Sequence, residues 1–444
     1  MDMRTERCEF SSFALQRVDR YALKPSKEGA LEATESENCR CENGWLYSAL
    51  GLVGIANSKG NTIQCDFDVK SVLPVSFEMD GKRGQAAVAI DTDGKIWCYR
   101  DGADCFLSNA QVAQGNVTIC SYPDERGDGG VLIAAENGVF QTNILSESYT
   151  ISAKATNGGA CFFKERLFAS SQQGVMYSNA GDFKDFQESA YGGGYIAVGD
   201  GHGRVYQLLA CEDSILLFKL HSVFRLYASG AADRFRLEKL PYGGEMIAVG
   251  SAARCGKYTV FTTCSGDVYR LDGKEFVKIA HNLPSEFCAD FIGTASDGQR
   301  YFRAGGAKTL VMDMDGNSYF SFSVQGLSDY GGSAVGRVNG SIVQFSHIGG
   351  FPRGEKGRFF VRDLHLKDDA DKVVKRLTIF GEGVVGVTLQ SDRKKVKKTI
   401  SLTKTGTAID VDLRGNRFDL SIEFSGRVSI GKMAVEFVYV GGEK

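Results

Sequence analysis

Seven times along this chain a short turn leads into a β-rich strand that carries an aromatic residue. The units are NGWLYS from Asn43, DGKIWCY from Asp93, NGVFQT from Asn137, QGVMYS from Gln173, HSVFRLY from His221, SGDVYRL from Ser265 and DGNSYF from Asp315. They recur about every 36 to 50 residues, with only strand signals between them. A repeat of that length built from strands fits the blades of a β-propeller, each blade a four-stranded sheet. Seven blades of about 45 residues need roughly 315 residues, which residues 43–355 supply. Six or eight blades would also satisfy the spacing. A single blade cannot bury its own apolar face, so the repeats must act together, and closure into a ring leaves only short edges. A large β-sandwich or β-solenoid is the competing reading. The WD and kelch signatures are absent.

A second recurrence overlies the first. YGGGYIAVGD at residues 191–200 returns 51 residues later as YGGEMIAVGS at 242–251, and more weakly as YGGSAVGR at 330–337. After the turn-rich FPRGEKG at 351–357 the pattern changes. FFVRDLHL, KRLTIFGE, GVVGVTLQSD, KKTISLTK, TAIDVDL, RFDLSIEF and MAVEFVYV alternate apolar and polar residues at a spacing of about 10 to 12. Residues 356–444 are therefore predicted to form a small β-sandwich. Residues 1–42 are mixed and charged. They form either an arm over the propeller or a segment that completes a blade. The predicted fold is all-β, a propeller over 43–355 followed by a C-terminal sandwich.

Composition agrees with many tight turns between strands. Gly is high at 54 residues, Pro is low at 6, and 43% of residues are apolar, which argues against disorder and against collagen. The net charge of -2 gives no general case for nucleic-acid binding. The charge is uneven, however. Residues 356–444 carry an excess of roughly six positive charges, much of it in Arg393-Lys394-Lys395-Val396-Lys397-Lys398. That run is read as a solvated hairpin turn or as a contact for an acidic neighbour. The twelve cysteines are scattered, and Cys39-Arg40-Cys41 has no matching pair, so they are expected as reduced, packed thiols. No apolar signal core opens the chain, and no run of about 18 apolar residues offers a membrane span.

Residues 161–227 hold the most specific pattern: RLFAS, then GVMYSNAGDFKDF, then VYQLLACEDSILLFKLHSVFRLY. This order resembles the β-propeller core of the tail nozzle proteins of tailed bacteriophages, also called tail tubular protein B or phage stabilisation proteins. Arg166, Leu167, Phe168, Ser178, Gly181, Asp182, Phe183 and Phe186 sit on the family pattern. The run at 30–46 is similar to the family's opening segment through Asn38, Gly44 and Leu46. The resemblance implies a virion protein that forms a six-fold ring in the portal–neck–tail channel. Its expected partners are further copies of itself and portal, adaptor or other tail proteins. Genomic DNA would pass the lumen without sequence-specific binding, and assembly would take place in the host cytoplasm. The eight motif residues are expected to be turn and core determinants.

No catalytic set stands out, and no cofactor or metal is expected. The histidines at 202, 221, 281, 347 and 365 are dispersed and form no HExxH, and there is no G-x-S-x-G elbow. Gly199-Asp200-Gly201-His202-Gly203 lacks the P-loop lysine. Met312-Asp313-Met314-Asp315-Gly316-Asn317 lacks the closing Glu of a calcium loop and reads as an Asp-Gly hairpin turn. The turn at 178–186 resembles the Asp-box of sialidase-like propellers but lacks its aspartate in the usual slot. The expectation is a non-enzymatic structural protein. A glycan- or receptor-binding propeller, including a glycosidase, is the alternative, and a scaffolding propeller is the third reading.

Overall fold

The computed structural model describes residues 5–15, 30–57, 59–79, 82–100, 103–113, 115–124, 127–144, 149–153, 156–188, 192–201, 203–364 and 366–440. The chain is all-β, with two single-turn 3-10 helices, Ala232–Arg234 and Ser285–Phe287, between strands. No helix among the described residues is long and apolar enough to cross a membrane. The chain divides into two compact units. One comprises residues 53–316 and 323–345; the other comprises 1–52, 317–322 and 346–444.

The first unit, taken with the strands Ser318–Ser321 and Gly51–Gly54, is a seven-bladed β-propeller. Six four-stranded sheets follow one another at 69–111, 117–153, 160–197, 207–239, 253–280 and 294–321, each with its strands paired in chain order. The seventh has three strands at 325–346, and its fourth position is filled by Gly51–Gly54 from the other end of the sequence. First strands of blades 1 to 4 touch in succession, as do those of blades 5 to 7, and that of blade 7 returns to that of blade 1. Arg337 Nε donates to Cys65 O at 2.7 Å across this closure. Val335 and Ile342 of blade 7 share an apolar cluster there with Val72 and Ala89 of blade 1. Blade faces are apolar in the same way elsewhere: Val88 and Ile90 meet Val131 and Ile133 between blades 1 and 2. Leu216 and Phe218 meet Phe261 and Leu271 between blades 4 and 5.

The turn-plus-strand units from Asp93, Asn137, Gln173, His221 and Ser265 all fall between the second and third strands of blades 1 to 5. Blade 1 gives the physical reason. Asp91 Oδ1 accepts from the backbone N–H of Asp93 (2.9 Å) and Lys95 (2.8 Å), and Gly94 adopts φ 86°. A short acceptor followed by glycine fixes the reversal. The unit at Asp315 lies one turn later, between the third and fourth strands of blade 6, and the unit at Asn43 lies in the sandwich.

The 51-residue recurrence does not mark the blade. Its first copy supplies the fourth strand of blade 3, Gly194–Ala197, while Tyr191 lies outside the described residues. In the second copy Ile247 makes only an isolated bridge to Thr263. The third spans the first hairpin of blade 7, where Gly331 and Gly332 have φ 54° and 76°. Similar sequence serves three different positions, because glycines and small apolar residues suit turns and strands alike.

The second unit is a β-sandwich drawn from both ends of the chain. Lys372–Ser391 is one 20-residue strand where two had been predicted. Its first half pairs with Thr407–Gly415 and Ser429–Tyr439, and its second half with Lys395–Leu402 and Phe418–Phe424. It changes sheets at Gly381-Glu382-Gly383. Gly383 has φ 110°, and a Cβ there would lie 2.4 Å from Arg427 O, so this corner requires glycine. The expected boundaries of 1–42, 43–355 and 356–444 differ from this division. Glu6–Phe10 pairs with Ser429–Tyr439, Glu35–Glu37 with Gly357–Val361, and Trp45–Ser48 with the start of Ser429–Tyr439. Residues 6–15 and 30–48 therefore belong to the sandwich, and Phe10, Phe13, Leu31 and Leu46 are buried in its core with Phe359, Leu377 and Phe437. Burial of each such side chain contributes about 1.5 to 3 kcal/mol, which an arm lying on a surface would forgo.

Candidate functional site

The eight residues of the blade-3 motif come together as a fastening between blades. Arg166 opens the strand Arg166–Ser171 and is buried. Its Nη1 donates to Ser178 O (2.7 Å) and Gly192 O (3.2 Å), and the guanidinium lies over the rings of Tyr177 and Phe235. Leu167 joins the apolar cluster toward blade 2, and Phe168 the one toward blade 4. Ser178 Oγ accepts from Leu167 N (2.9 Å) and donates to Asn179 O (3.1 Å). Gly181 turns the chain at φ 76°, and Asp182 Oδ1 accepts from Lys184 N (3.2 Å). Phe183 meets Tyr122 and Phe162 edge-on, and its carbonyl accepts from Gln141 Nε2 of blade 2 (2.5 Å). Phe186 packs on the same cluster. These roles organise the fold.

Buried cations elsewhere are likewise committed to structure, and the sequence reading had not singled them out. Arg303 is fully buried in blade 6. Its nitrogens donate to the carbonyls of Phe287, Ala289, Gly250 and Ile292 and to Thr294 Oγ1, at 2.6 to 3.3 Å. Lys219 Nζ donates to Val198 O (2.9 Å) and pairs with Asp200, which also meets Lys239 at 3.3 Å. The glycine-rich loop at 199–203 thus holds an ion-pair partner. A cation at an apolar-phase position of a strand, as in Arg300–Ala304, was the available signal.

Cysteine chemistry is muted. Burial pushes the thiols of Cys41, Cys120 and Cys255 up to about 12, and Cys39 well above its ordinary value. A thiol so shifted carries almost no thiolate near neutral pH. No group of three or more His, Cys, Asp or Glu side chains that could hold a metal ion occurs among the described residues; His202 and His365 lie outside them. The Asp313–Gly316 segment is a hairpin turn, with Asp313 Oδ1 accepting from Asp315 N at 2.9 Å.

The feature with the character of a binding site lies within the sandwich unit. A cleft of about 330 Å³ opens at the corner where the long strand changes sheets, lined by Arg40, Tyr47, Ser48, His347, Glu382 and Arg427 among others. Strand pairing of Ser429 with Tyr47 builds its floor. Arg40 stacks over the Tyr47 ring at 5.0 Å, is held by Ser48 O (3.2 Å), and pairs with Glu42. Glu382 is engaged by Lys404 at 3.0 Å. Arg427, on the turn after Phe418–Phe424, is exposed and makes no hydrogen bond or ion pair with any described residue. Three large apolar side chains flank the lining residues in sequence and remain exposed: Trp45 (41%), Ile348 (76%) and Val384 (56%). Trp45 lies against Gly431, where a Cβ would come within 2.7 Å of its ring, and stacks toward Tyr47 at 6.3 Å. No local pattern signals this cleft, because its walls come from strands more than 300 residues apart.

No family model matches this chain, and no curated protein matches it in sequence. Similar solved structures include the computationally designed Ika8 protein, at TM-score 0.43 and 12% identity over 71% of this chain and 98% of that one. A chain of the BBS1N complex with ARL6DN gives TM-score 0.44 and 12% identity over 69% and 98%. The WD40 β-propeller domain of Doa1 gives 0.39 and 12% over 67% and 97%. Likeness at this level carries no functional argument.

Proposed function

We propose that this chain is a structural component of a tailed-phage virion, a subunit of a ring in the portal–neck–tail channel that retains the genome and lets it pass. The observation that carries the reading is the blade-3 pattern running from Arg166 through Ser178 and Gly181-Asp182-Phe183 to Phe186. Here Arg166 and Ser178 tie adjacent strands of blade 3, and Phe183 meets Tyr122 of blade 2. Charge supports the reading too. The propeller unit holds 32 Asp and Glu against 26 Lys and Arg, and the sandwich unit 26 Lys and Arg against 22 Asp and Glu. An acidic wall lets DNA slide, whereas clustered lysines and arginines would bind its phosphates.

The test is the mass of the purified full-length protein by light scattering, alone and with purified portal and adaptor proteins. A ring in either condition is the expected result. A protein that stays monomeric with those partners and binds glycans instead would overturn the reading in favour of a recognition propeller.

A further inference from the structure

We propose that the cleft of the sandwich unit is a docking site for a second copy of this chain. It receives a carboxylate side chain from the acidic propeller unit of the neighbouring copy. This inference rests on the ring reading and adds to it the surface by which copies meet.

The residue types are those that anchor protein interfaces. Tryptophan, tyrosine and arginine dominate the few positions that carry most binding energy, surrounded by apolar contacts that exclude water. Here Arg40, Arg427 and Tyr47 line a recess, and the exposed apolar side chains Trp45, Ile348 and Val384 lie one or two residues along the chain from lining residues. Of the two lining arginines, Arg427 has no hydrogen-bond or ion-pair partner among the described residues. A guanidinium in that state gains most from a carboxylate, which it binds through two parallel hydrogen bonds. A volume of about 330 Å³ accommodates one or two side chains rather than a polymer.

The occupant follows from charge. A ring of identical copies uses one heterologous contact, in which two different surfaces of the same chain meet and repeat until closure. This chain supplies such a pair: a sandwich unit with an excess of cations and a propeller unit with an excess of carboxylates. Complementary charge selects that pairing over sandwich with sandwich.

The experiment compares the full-length wild type with Arg427→Glu and Arg427→Lys by mass photometry, with and without portal and adaptor proteins. Arg427 sits on an exposed turn, so both variants should keep the fold, which circular dichroism checks. The wild type is expected to form rings, Arg427→Glu to need at least 10-fold more protein to assemble, and Arg427→Lys to keep most of the assembly. Carbodiimide cross-linking of mixed light- and heavy-isotope protein should join Lys404, beside Glu382, to carboxylates within 53–316 of the other isotope. If wild type and Arg427→Glu form rings equally well, the docking site is overturned and the ring stands. If the wild type forms no ring in either condition, the ring reading falls and this inference with it.

Discussion

The propeller and the sandwich bury the same kinds of side chain by opposite routes. In the propeller, the closing strand Gly51–Gly54 apart, each strand finds its partner nearby: Phe168 opposes Tyr177, and Val131 opposes Thr142. In the sandwich Glu6 opposes Phe437 and Ser36 opposes Phe359. Local pairing needs only a turn, and the turn has a sequence. Pairing across the whole chain carries the entropy of closing a very long loop and is rewarded only when the core is complete. One unit is therefore a sum of similar modules, and the other depends on both chain ends arriving together.

The contrast can be broken most sharply at Arg303. Arg303→Ala leaves several buried carbonyls around blade 6 without donors and is expected to destabilise the propeller by about 4 kcal/mol. In a urea titration followed by hydrogen exchange, the loss should fall on residues 253–321 and spare the sandwich. Equal loss in both units would mean that they unfold as one. Leu46→Ala probes the other route. Leu46 is fully buried beside Phe437 and Leu377 although it is nearly 400 residues from the former. A loss of about 3 kcal/mol is expected, read as reduced protection of 372–439 with the blades unchanged. Unaltered protection there would show that the N-terminal strands contribute little to the sandwich.

The smallest effect is pH-dependent and confined to the sandwich. The hydrogen bond from Lys372, aided by the Ala370 N–H, holds the Asp368 carboxyl down at about 2. The folded value lies below the ordinary value of roughly 3.9, so the stabilisation is present above about pH 4 and disappears as pH falls through about 2. Lys372 is fully buried and also donates to the carbonyls of Asp368 and Ala370, so protonation strands an ammonium in the core. Acid unfolding should begin in the sandwich between pH 4 and 2, and Asp368→Asn should flatten that part of its stability profile. A profile unchanged by the substitution would assign the acid sensitivity to another group.

Legibility followed the same divide. Five turn-plus-strand units gave the blade period correctly because each reversal is made within a few residues; in blade 1 an Asx acceptor, Asp91, and Gly94 fix it. The recurrence at 191–200 and 242–251 misled, since a run of glycines and small apolar residues carries no unique backbone state. The long strand Lys372–Ser391 was read as two because Gly381 and Gly383 look like a turn, whereas they bend a continuous strand from one sheet to the other. Of the eight motif residues, Arg166, Leu167, Phe168 and Ser178 are buried, while Gly181 and Asp182 lie on an exposed turn. The cleft was not legible, since Arg40, His347 and Arg427 share no local pattern.

The sequence by itself determined the all-β class, the propeller repeat and the strand character of the C-terminal region, because turns and alternation act over a few residues. Only the tertiary structure decided that residues 6–15 and 30–48 complete the sandwich, that Gly51–Gly54 closes the seventh blade, and that Arg40 and Arg427 line one cleft. Those outcomes depend on which apolar faces remain uncovered once the local hairpins have formed, and no window of the sequence contains that information.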